Sequence, residues 1–417
     1  MKIVFVTAGF SSMKNANVKI VNNIVTYMSA KHEIYVVEKQ DFDIGYTNPI
    51  NKKYMRGDIC IFSFMSRVEK KLLDLKRRFV ADNSSRMEQI GVLLFHPVCC
   101  LYLILNYIDK KWLKDAWESR YRYTRIRKFL KTINADMIVF VTSPNGILEK
   151  LPKFKNVKKI WYQVDPYAYN FFYNGAKYID YEKKVFESVE LCITTPIMYE
   201  FYKTDIKSPY LDKIVPLEFP VIEERKCLST KNISETNSIN CVFAGRFYNE
   251  IRNPKFVFSI FSRLSDENIL LHTYSNGCEE DISKWKELLK EGYVQHEMVG
   301  PEEISEILAQ ADILVNVNNS IYNQLPSKTL EYISYGLPIL NICKSDKCPS
   351  LNYMSRYPLA YNVFEDRDVK IEEIQEFIVQ NAGRKISWEE ISVLYSDILK
   401  DKLVKEFSEL VEGVITK

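Results

Sequence analysis

The strongest constraint in this sequence is a rhythm of short β-rich runs and helical stretches that plays twice, with one break between. In the first half, Lys2 to Thr7 reads as a strand, Val18, Val21, Ile24, Val25 and Met28 recur at helical spacing, and Glu33 to Val37 resumes strand character. Together they complete one β-α-β unit. Further strand candidates are Asp58 to Phe64, Met137 to Thr142, Lys159 to Val164 and Leu191 to Thr195, and residues 66 to 132 are helical in character and basic. Near Pro216 to Pro220 the pattern stops, and Glu223 to Ser238 is polar with no apolar period, which reads as a linker. A second alternation then runs from strand Asn240 to Ala244 through the helix face Phe256, Val257, Ile260, Phe261 and Leu264 and strand Ile269 to Tyr274. It continues with helices Ile282 to Leu289 and Ile304 to Ala311, strand Ile313 to Val317, helix Lys328 to Tyr335 and strand Pro338 to Ile342.

Such alternation predicts parallel sheets covered by helices on both faces. The fold class is therefore α/β, with two doubly wound, Rossmann-like domains facing each other across a cleft. A chain of 417 residues exceeds what one hydrophobic core usually organises, which agrees with two units. The expected division is residues 1–220, a linker at 221–238, a second domain at 239–386, and C-terminal helices at 387–417 that pack back on the first domain.

Charge and cysteine usage narrow the functional classes. A net charge of +3 argues against nucleic acid as a partner. The nine Cys, Cys99 and Cys100 adjacent among them, follow no metal spacing and suit reduced thiols in a cytosol. The four His, His32, His96, His272 and His296, include no i, i+4 pair, so a zinc site built on His is not expected. Lys2 followed by Ile3 to Val6 is too short for a signal sequence, and the chain is expected to stay cytoplasmic. The apolar stretch Gly91 to Ile108 contains His96, Pro97 and Asn106, which suits a buried or interfacial segment better than a membrane span. Behind it, Lys110 to Lys128 interleaves basic residues with Trp112, Trp117, Tyr121 and Tyr123. That pattern fits a solvated helix face, and equally a peripheral anchor on an anionic membrane surface.

In open α/β sheets ligands bind beyond the carboxyl ends of the strands, and two second-domain loops there carry chemistry. The first is Phe243-Ala244-Gly245-Arg246-Phe247, followed by Arg252-Asn253-Pro254. Glycine lets a phosphate approach the backbone, and two guanidinium groups can neutralise a diphosphate. The bland counterpart is a tight turn with two solvated arginines. The second loop runs from Asn323, Gln324 and Leu325 through Pro326, Ser327, Lys328 and Glu331 to Gly336 and Pro338. Here Ser327 is placed as helix N-cap and Gly336 as left-handed terminator, with Pro338 forbidding continuation. The helix N-terminus and Lys328 offer an anion site, and Glu331 can accept from ribose hydroxyls. Alternatively Lys328 and Glu331 form only an i, i+3 surface pair.

The segment Pro326-Ser327-Lys328, Glu331-Tyr332, Gly336-Leu337-Pro338, preceded by Ala311 to Val315 and with Gly245-Arg246 and Arg252 upstream, resembles the donor-binding signature of GT-B glycosyltransferases of the large retaining group often called family four. The resemblance covers most of the second half; the first half matches only in its β-α rhythm. It implies a nucleotide-diphosphate sugar donor, UDP- or GDP-linked, and a glycan or lipid-linked acceptor in cell-surface polysaccharide or glycoconjugate synthesis. It also implies that Arg246 and Arg252 meet the diphosphate and that Glu331 holds the ribose. Glu331 would be the second of two glutamates, and the first falls on Asn323. An amide there can hydrogen-bond to the donor sugar but carries no charge. Asn323 thus also fits a scaffold of the same fold, a catalytically weak partner of an active enzyme. The expected chemistry needs no metal or other cofactor, because Arg246, Arg252, Lys328 and the helix N-terminus stabilise the departing diphosphate.

On the acceptor side, Gly9, Phe10, Ser11 and Ser12 follow the first strand, and Gln163-Val164-Asp165-Pro166 ends another. The resemblance makes Asp165 a candidate for acceptor binding or proton transfer; its plain alternative is strand termination before proline. Tyr167, Tyr169, Phe171, Phe172 and Tyr173 can stack on sugar rings or fill core. Asp41-Phe42-Asp43 and Asp366-Arg367-Asp368 read as loops rather than a metal motif. No Gly-x-Gly-x-x-Gly follows the strands at Ile3 or Asn240, which disfavours a nicotinamide oxidoreductase.

Overall fold

The computed structural model describes residues 1–8, 16–40, 43–48, 53–56, 123–141, 148–171, 175–225, 238–266 and 268–416. The strand expected at Asp58 to Phe64, the apolar stretch Gly91 to Ile108 and the basic segment up to residue 122 lie outside them.

The first sheet has eight strands in the order β4-β3-β2-β1-β5-β6-β7-β8: β1 Lys2–Ala8, β2 Glu33–Gln40, β3 Asp43–Asn48, β4 Lys53–Arg56, β5 Met137–Val141, β6 Lys158–Gln163, β7 Leu191–Thr194 and β8 Ile214–Pro216. From β2 to β8 every pairing is parallel, while β3 and β4 add an antiparallel edge. Because side chains alternate across a strand, Ile3 and Phe5 of β1 enter one core and Val4 and Val6 the opposite one. Burial on both faces is what demands the continuous apolar runs seen in the sequence. The helix Ala16–Met28 covers one face with Val18, Val21, Ile24, Val25 and Met28, all fully buried. Asp43, expected in a loop, opens β3 instead.

The second sheet has six strands, all parallel, in the order β11-β10-β9-β12-β13-β14. They are β9 Ile239–Arg246, β10 Ile269–Asn276, β11 Tyr293–His296, β12 Ile313–Val317, β13 Ile339–Cys343 and β14 Ala360–Phe364. Numbered within the sheet, the order is 3-2-1-4-5-6, the doubly wound arrangement whose switch point lies between β9 and β12. β8, β11 and β14 are short or of mixed burial, and the sequence pattern did not single them out.

The tail forms two helices, Trp388–Leu394 and Lys400–Thr416. The second lies on the helix Ala16–Met28 side of the first sheet, where the Phe407 ring sits 5.0 Å from Tyr162, edge-on, and 6.4 Å from Phe5. The chain crosses between the sheets at two adjacent places, since Ile222 bridges Leu399 and accepts from the Lys400 N–H at 2.9 Å. The start of the expected linker is therefore anchored: Glu223 pairs with Lys400, Lys19 and Arg225. Residues 226–237 lie outside the described part.

Candidate functional site

The switch point of the second sheet carries a half-buried contact. Arg252 follows β9, and its Nε and Nη2 both donate to Oδ1 of Asn319, just past β12, at 3.1 and 2.7 Å. Tyr248 and Arg252 exchange two backbone hydrogen bonds, so the guanidinium stands on a closed loop. Burial pushes the Arg252 guanidinium below its ordinary value. Arg246 ends β9 and is exposed, with its guanidinium 5.3 Å from the centre of the Tyr248 ring. Gly245 precedes it within the strand. Asn319 was not singled out in the sequence, although Asn318-Asn319 at the end of a buried strand is the available signal.

Behind this loop the carboxyl ends of β12 and β13 carry a buried amide network. Asn316 and Asn318 both donate to Asn341 Oδ1, at 2.8 and 2.7 Å, and Asn341 Nδ2 donates to Asn362 Oδ1 at 2.7 Å. The network ties the ends of β12 and β13 together, although Asn318 Oδ1 is buried without a partner.

The helix of the second motif spans Ser327–Ile333. Its N-cap is Pro326, with no side-chain cap, and Ser327 is the first helical residue, so the expected serine cap is corrected. Proline cannot donate and its φ of −63° suits the entry, which leaves the serine free to begin the turn. Gly336 does take the left-handed conformation, with φ of 72°, and a Cβ there would meet the Ile386 carbonyl oxygen at 2.4 Å. Tyr332 anchors the helix to β9 through its hydroxyl and the Ala244 N–H, 3.1 Å.

Glu331 is not a lone acceptor. Lys328 reaches its Oε2 at 2.9 Å, and Lys19 and Arg225 approach Oε1 at 3.3 and 3.6 Å. Burial pushes this carboxyl up, and the charges of Lys328, Lys19 and Arg225 outweigh it and hold Glu331 well below the usual carboxylate range. Lys19 comes from the first domain, so the surface-pair alternative for Lys328 and Glu331 describes only part of a wider cluster. No sequence spacing links Lys19 or Arg225 to Glu331.

The remaining residues of the motif cross the cleft. Gln324 Nε2 donates to Asp165 Oδ1 at 2.6 Å, and Asn323 Nδ2 donates to the Tyr169 carbonyl at 3.1 Å. Asn17, in the first turn of Ala16–Met28, donates to Asp165 Oδ2 at 2.7 Å. Leu325 is buried. Of the aromatic run, Tyr167 is core and donates to Glu149, while Phe171 is exposed. Ala168 N–H donates to Glu182 at 3.0 Å, and burial pushes the Glu182 carboxyl up to about 7. Gly9, Phe10 and Ser11 lie outside the described residues, as does Ser12.

The two histidines His272 and His296, which no spacing paired, meet through their ring nitrogens at 3.0 Å on neighbouring strands β10 and β11. Among the described residues no group of three or more His, Cys, Asp or Glu could hold a metal ion. Asp366-Arg367-Asp368 lies in the turn after β14, with Arg367 paired to Asp346 and Asp366. No described helix is long and apolar enough to cross a membrane.

Two doubly wound domains, joined by a double crossing and facing each other over the carboxyl ends of β6, β9 and β12, define the GT-B fold of glycosyltransferases. Solved structures of that class share it along the whole chain. Sucrose-phosphate synthase from Thermosynechococcus elongatus is similar over 100% of this chain and 99% of its own, with a TM-score of 0.66 at 10% identity. The catalytic domain of starch synthase IV from Arabidopsis thaliana, bound to ADP and acarbose, has a TM-score of 0.63 at 7% identity, over 100% of both chains. WaaG, a glycosyltransferase involved in lipopolysaccharide biosynthesis, has a TM-score of 0.57 at 13% identity, over 99% of this chain and 100% of its own. No protein-family model matches the chain, and no curated protein matches it in sequence.

Proposed function

We propose that the chain is a glycosyltransferase that moves a sugar from a nucleoside-diphosphate donor to a glycan or lipid-linked acceptor. The observation that carries this reading is the half-buried Arg252 fork on Asn319 at the switch point between β9 and β12, the place where doubly wound sheets bind their ligands. Arg246 and Arg252 would meet the diphosphate, and Glu331, kept ionised by its three cations, would accept from the ribose hydroxyls. As the anomeric bond breaks, negative charge grows on the departing diphosphate, and fixed guanidinium groups stabilise it at no reorganisation cost. The starch synthase neighbour, which is bound to ADP, supports a nucleotide as a ligand of this fold. Asp165, at the end of β6, would face the acceptor hydroxyl.

A second reading is a chain of this fold that binds a nucleotide without turnover. Asn323 favours it, because its amide is engaged with the Tyr169 carbonyl. One screen separates the readings. Thermal unfolding is followed with UDP, GDP and ADP, since a ligand that binds only the folded state raises its stability. Matched sugar nucleotides are then assayed for hydrolysis and transfer. A stabilising nucleotide with turnover supports the enzyme, stabilisation without turnover supports the binder, and no stabilisation by any of the three overturns both.

A further inference from the structure

We propose that Gln324 and Asn17 are positioning residues for Asp165, and that the neighbouring amides Asn323 and Gln324 form a clasp that couples closure of the cleft to the orientation of that carboxylate. The proposal rests on the glycosyltransferase reading for the meaning of Asp165, but the clasp itself stands on geometry. The two amides sit side by side on the loop between β12 and the helix Ser327–Ile333 and cross to the loop after β6: Gln324 to Asp165 Oδ1 at 2.6 Å, Asn323 to the Tyr169 carbonyl at 3.1 Å. Asn17 takes the other carboxylate oxygen at 2.7 Å. Asp165 is thus gripped by one residue from its own half and one from the other.

Each oxygen of Asp165 accepts from an amide N–H, Oδ1 from Gln324 and Oδ2 from Asn17, an arrangement that favours the carboxylate over the acid. Burial raises the Asp165 carboxyl above its ordinary value, and the hydrogen bonds from Asn17 and Gln324 offset only part of that rise. The two neutral amides thus fix the carboxyl group of the half-buried Asp165 from both sides.

The same geometry explains why position 323 carries an amide. A glutamate there has no hydrogen to give the Tyr169 carbonyl and would set negative charge against it, and a glutamate at 324 would confront Asp165. Asn323 is therefore a donor across the cleft rather than a weakened sugar-binding carboxylate. When the halves separate, Gln324 leaves and Asp165 loses one of its two guides, so the carboxylate is fully oriented only in the closed state.

The test uses the full chain with Gln324→Ala, Gln324→Glu, Asn17→Ala and Asp165→Asn. In the stability arm, Gln324→Glu places a second carboxyl against Asp165, and the pair must share a proton. Its unfolding temperature, relative to Gln324→Ala, should fall as pH rises from 5.5 to 8, and adding Asp165→Asn should abolish that dependence. In the kinetic arm, UDP-glucose, UDP-N-acetylglucosamine and GDP-mannose are the probes. Gln324→Ala and Asn17→Ala should lower turnover of the active probe about tenfold or more and leave the affinity for its nucleoside diphosphate within about twofold; Gln324→Glu should match Gln324→Ala at pH 8 and recover at pH 5.5. Weakened nucleotide affinity with unchanged turnover would make Gln324 a donor contact and overturn the positioning role. A pH-independent stability loss in Gln324→Glu would overturn the clasp. If the wild type turns over none of the probes, the positioning role falls with the glycosyltransferase reading, while the stability arm still decides the clasp.

Discussion

The side-chain amide of Gln324 donates to Asp165 Oδ1 at 2.6 Å across 159 residues of sequence. This bond joins the loop after β12 in one sheet to the loop after β6 in the other, the ends where both sheets present their ligand-binding edges. Together with Lys19 and Glu331, 3.3 Å apart, it makes the candidate site a property of the two halves held together. Neither half contains it alone.

Arg252→Lys keeps the positive charge but gives up the planar fork on Asn319. Affinity for the nucleoside diphosphate that stabilises the wild type is expected to fall roughly tenfold, the loss of one charge-assisted hydrogen bond, with the unfolding temperature little changed. Titration calorimetry reads this directly. Equal affinities in the two proteins would remove Arg252 from the phosphate site.

Lys19→Met takes away a competitor for Glu331 Oε1. The pair is partly exposed, with side chains 31% and 15% accessible, so the contact is worth about 1 kcal/mol or less. Nucleotide affinity is expected to rise, by up to about fivefold, and to lose part of its salt dependence. Lower affinity would mean that Lys19 itself contacts the nucleotide. Glu331 is better probed as Glu331→Gln than as alanine, because alanine strands three cations in a half-buried cluster.

Glu182 gives a pH signature. Its folded-state carboxyl, pushed up to about 7 by burial from an ordinary value of 4.5, binds a proton that the unfolded chain has already lost between those values. Stability from this group is therefore fully present below about 4.5 and declines as pH rises through 7, by on the order of 3 kcal/mol. His272, lowered by burial and by His296 to about 4, slopes the opposite way at mildly acid pH, so the comparison is with Glu182→Gln. The wild type should lose stability relative to that variant between pH 5 and 8 in denaturant titrations. A constant difference would place the Glu182 titration elsewhere.

Phe407→Ala removes a fully buried ring that packs on Tyr162 and Phe5. The expected loss is about 3 to 5 kcal/mol, read by denaturant midpoint. A loss below about 1 kcal/mol would show that the last helix contributes little to the first domain.

Local pattern decided much of the architecture. Val18, Val21, Ile24, Val25 and Met28 announced their helix because an apolar face repeats every three or four residues. Lys2 to Thr7, Ile313 to Val317 and Pro338 to Ile342 announced buried parallel strands because both faces need apolar cover. Gly336 announced the end of its helix because no other residue takes that conformation against the Ile386 carbonyl. β8, β11 and β14 escaped, being short edge or near-edge strands with too few alternations to register. The residue types of the candidate site, Arg246, Arg252, Lys328 and Glu331, could be read from spacing, since each lies within a few residues of a strand end or helix start. Their partners could not. Asn319 on Arg252, Lys19 and Arg225 on Glu331, and Asn17 and Gln324 on Asp165 are joined by strand order and by the packing of one sheet against the other. A hydrogen bond between residues far apart in sequence leaves no periodicity behind it, so only the tertiary structure decided which amide and which cation each carboxylate would meet.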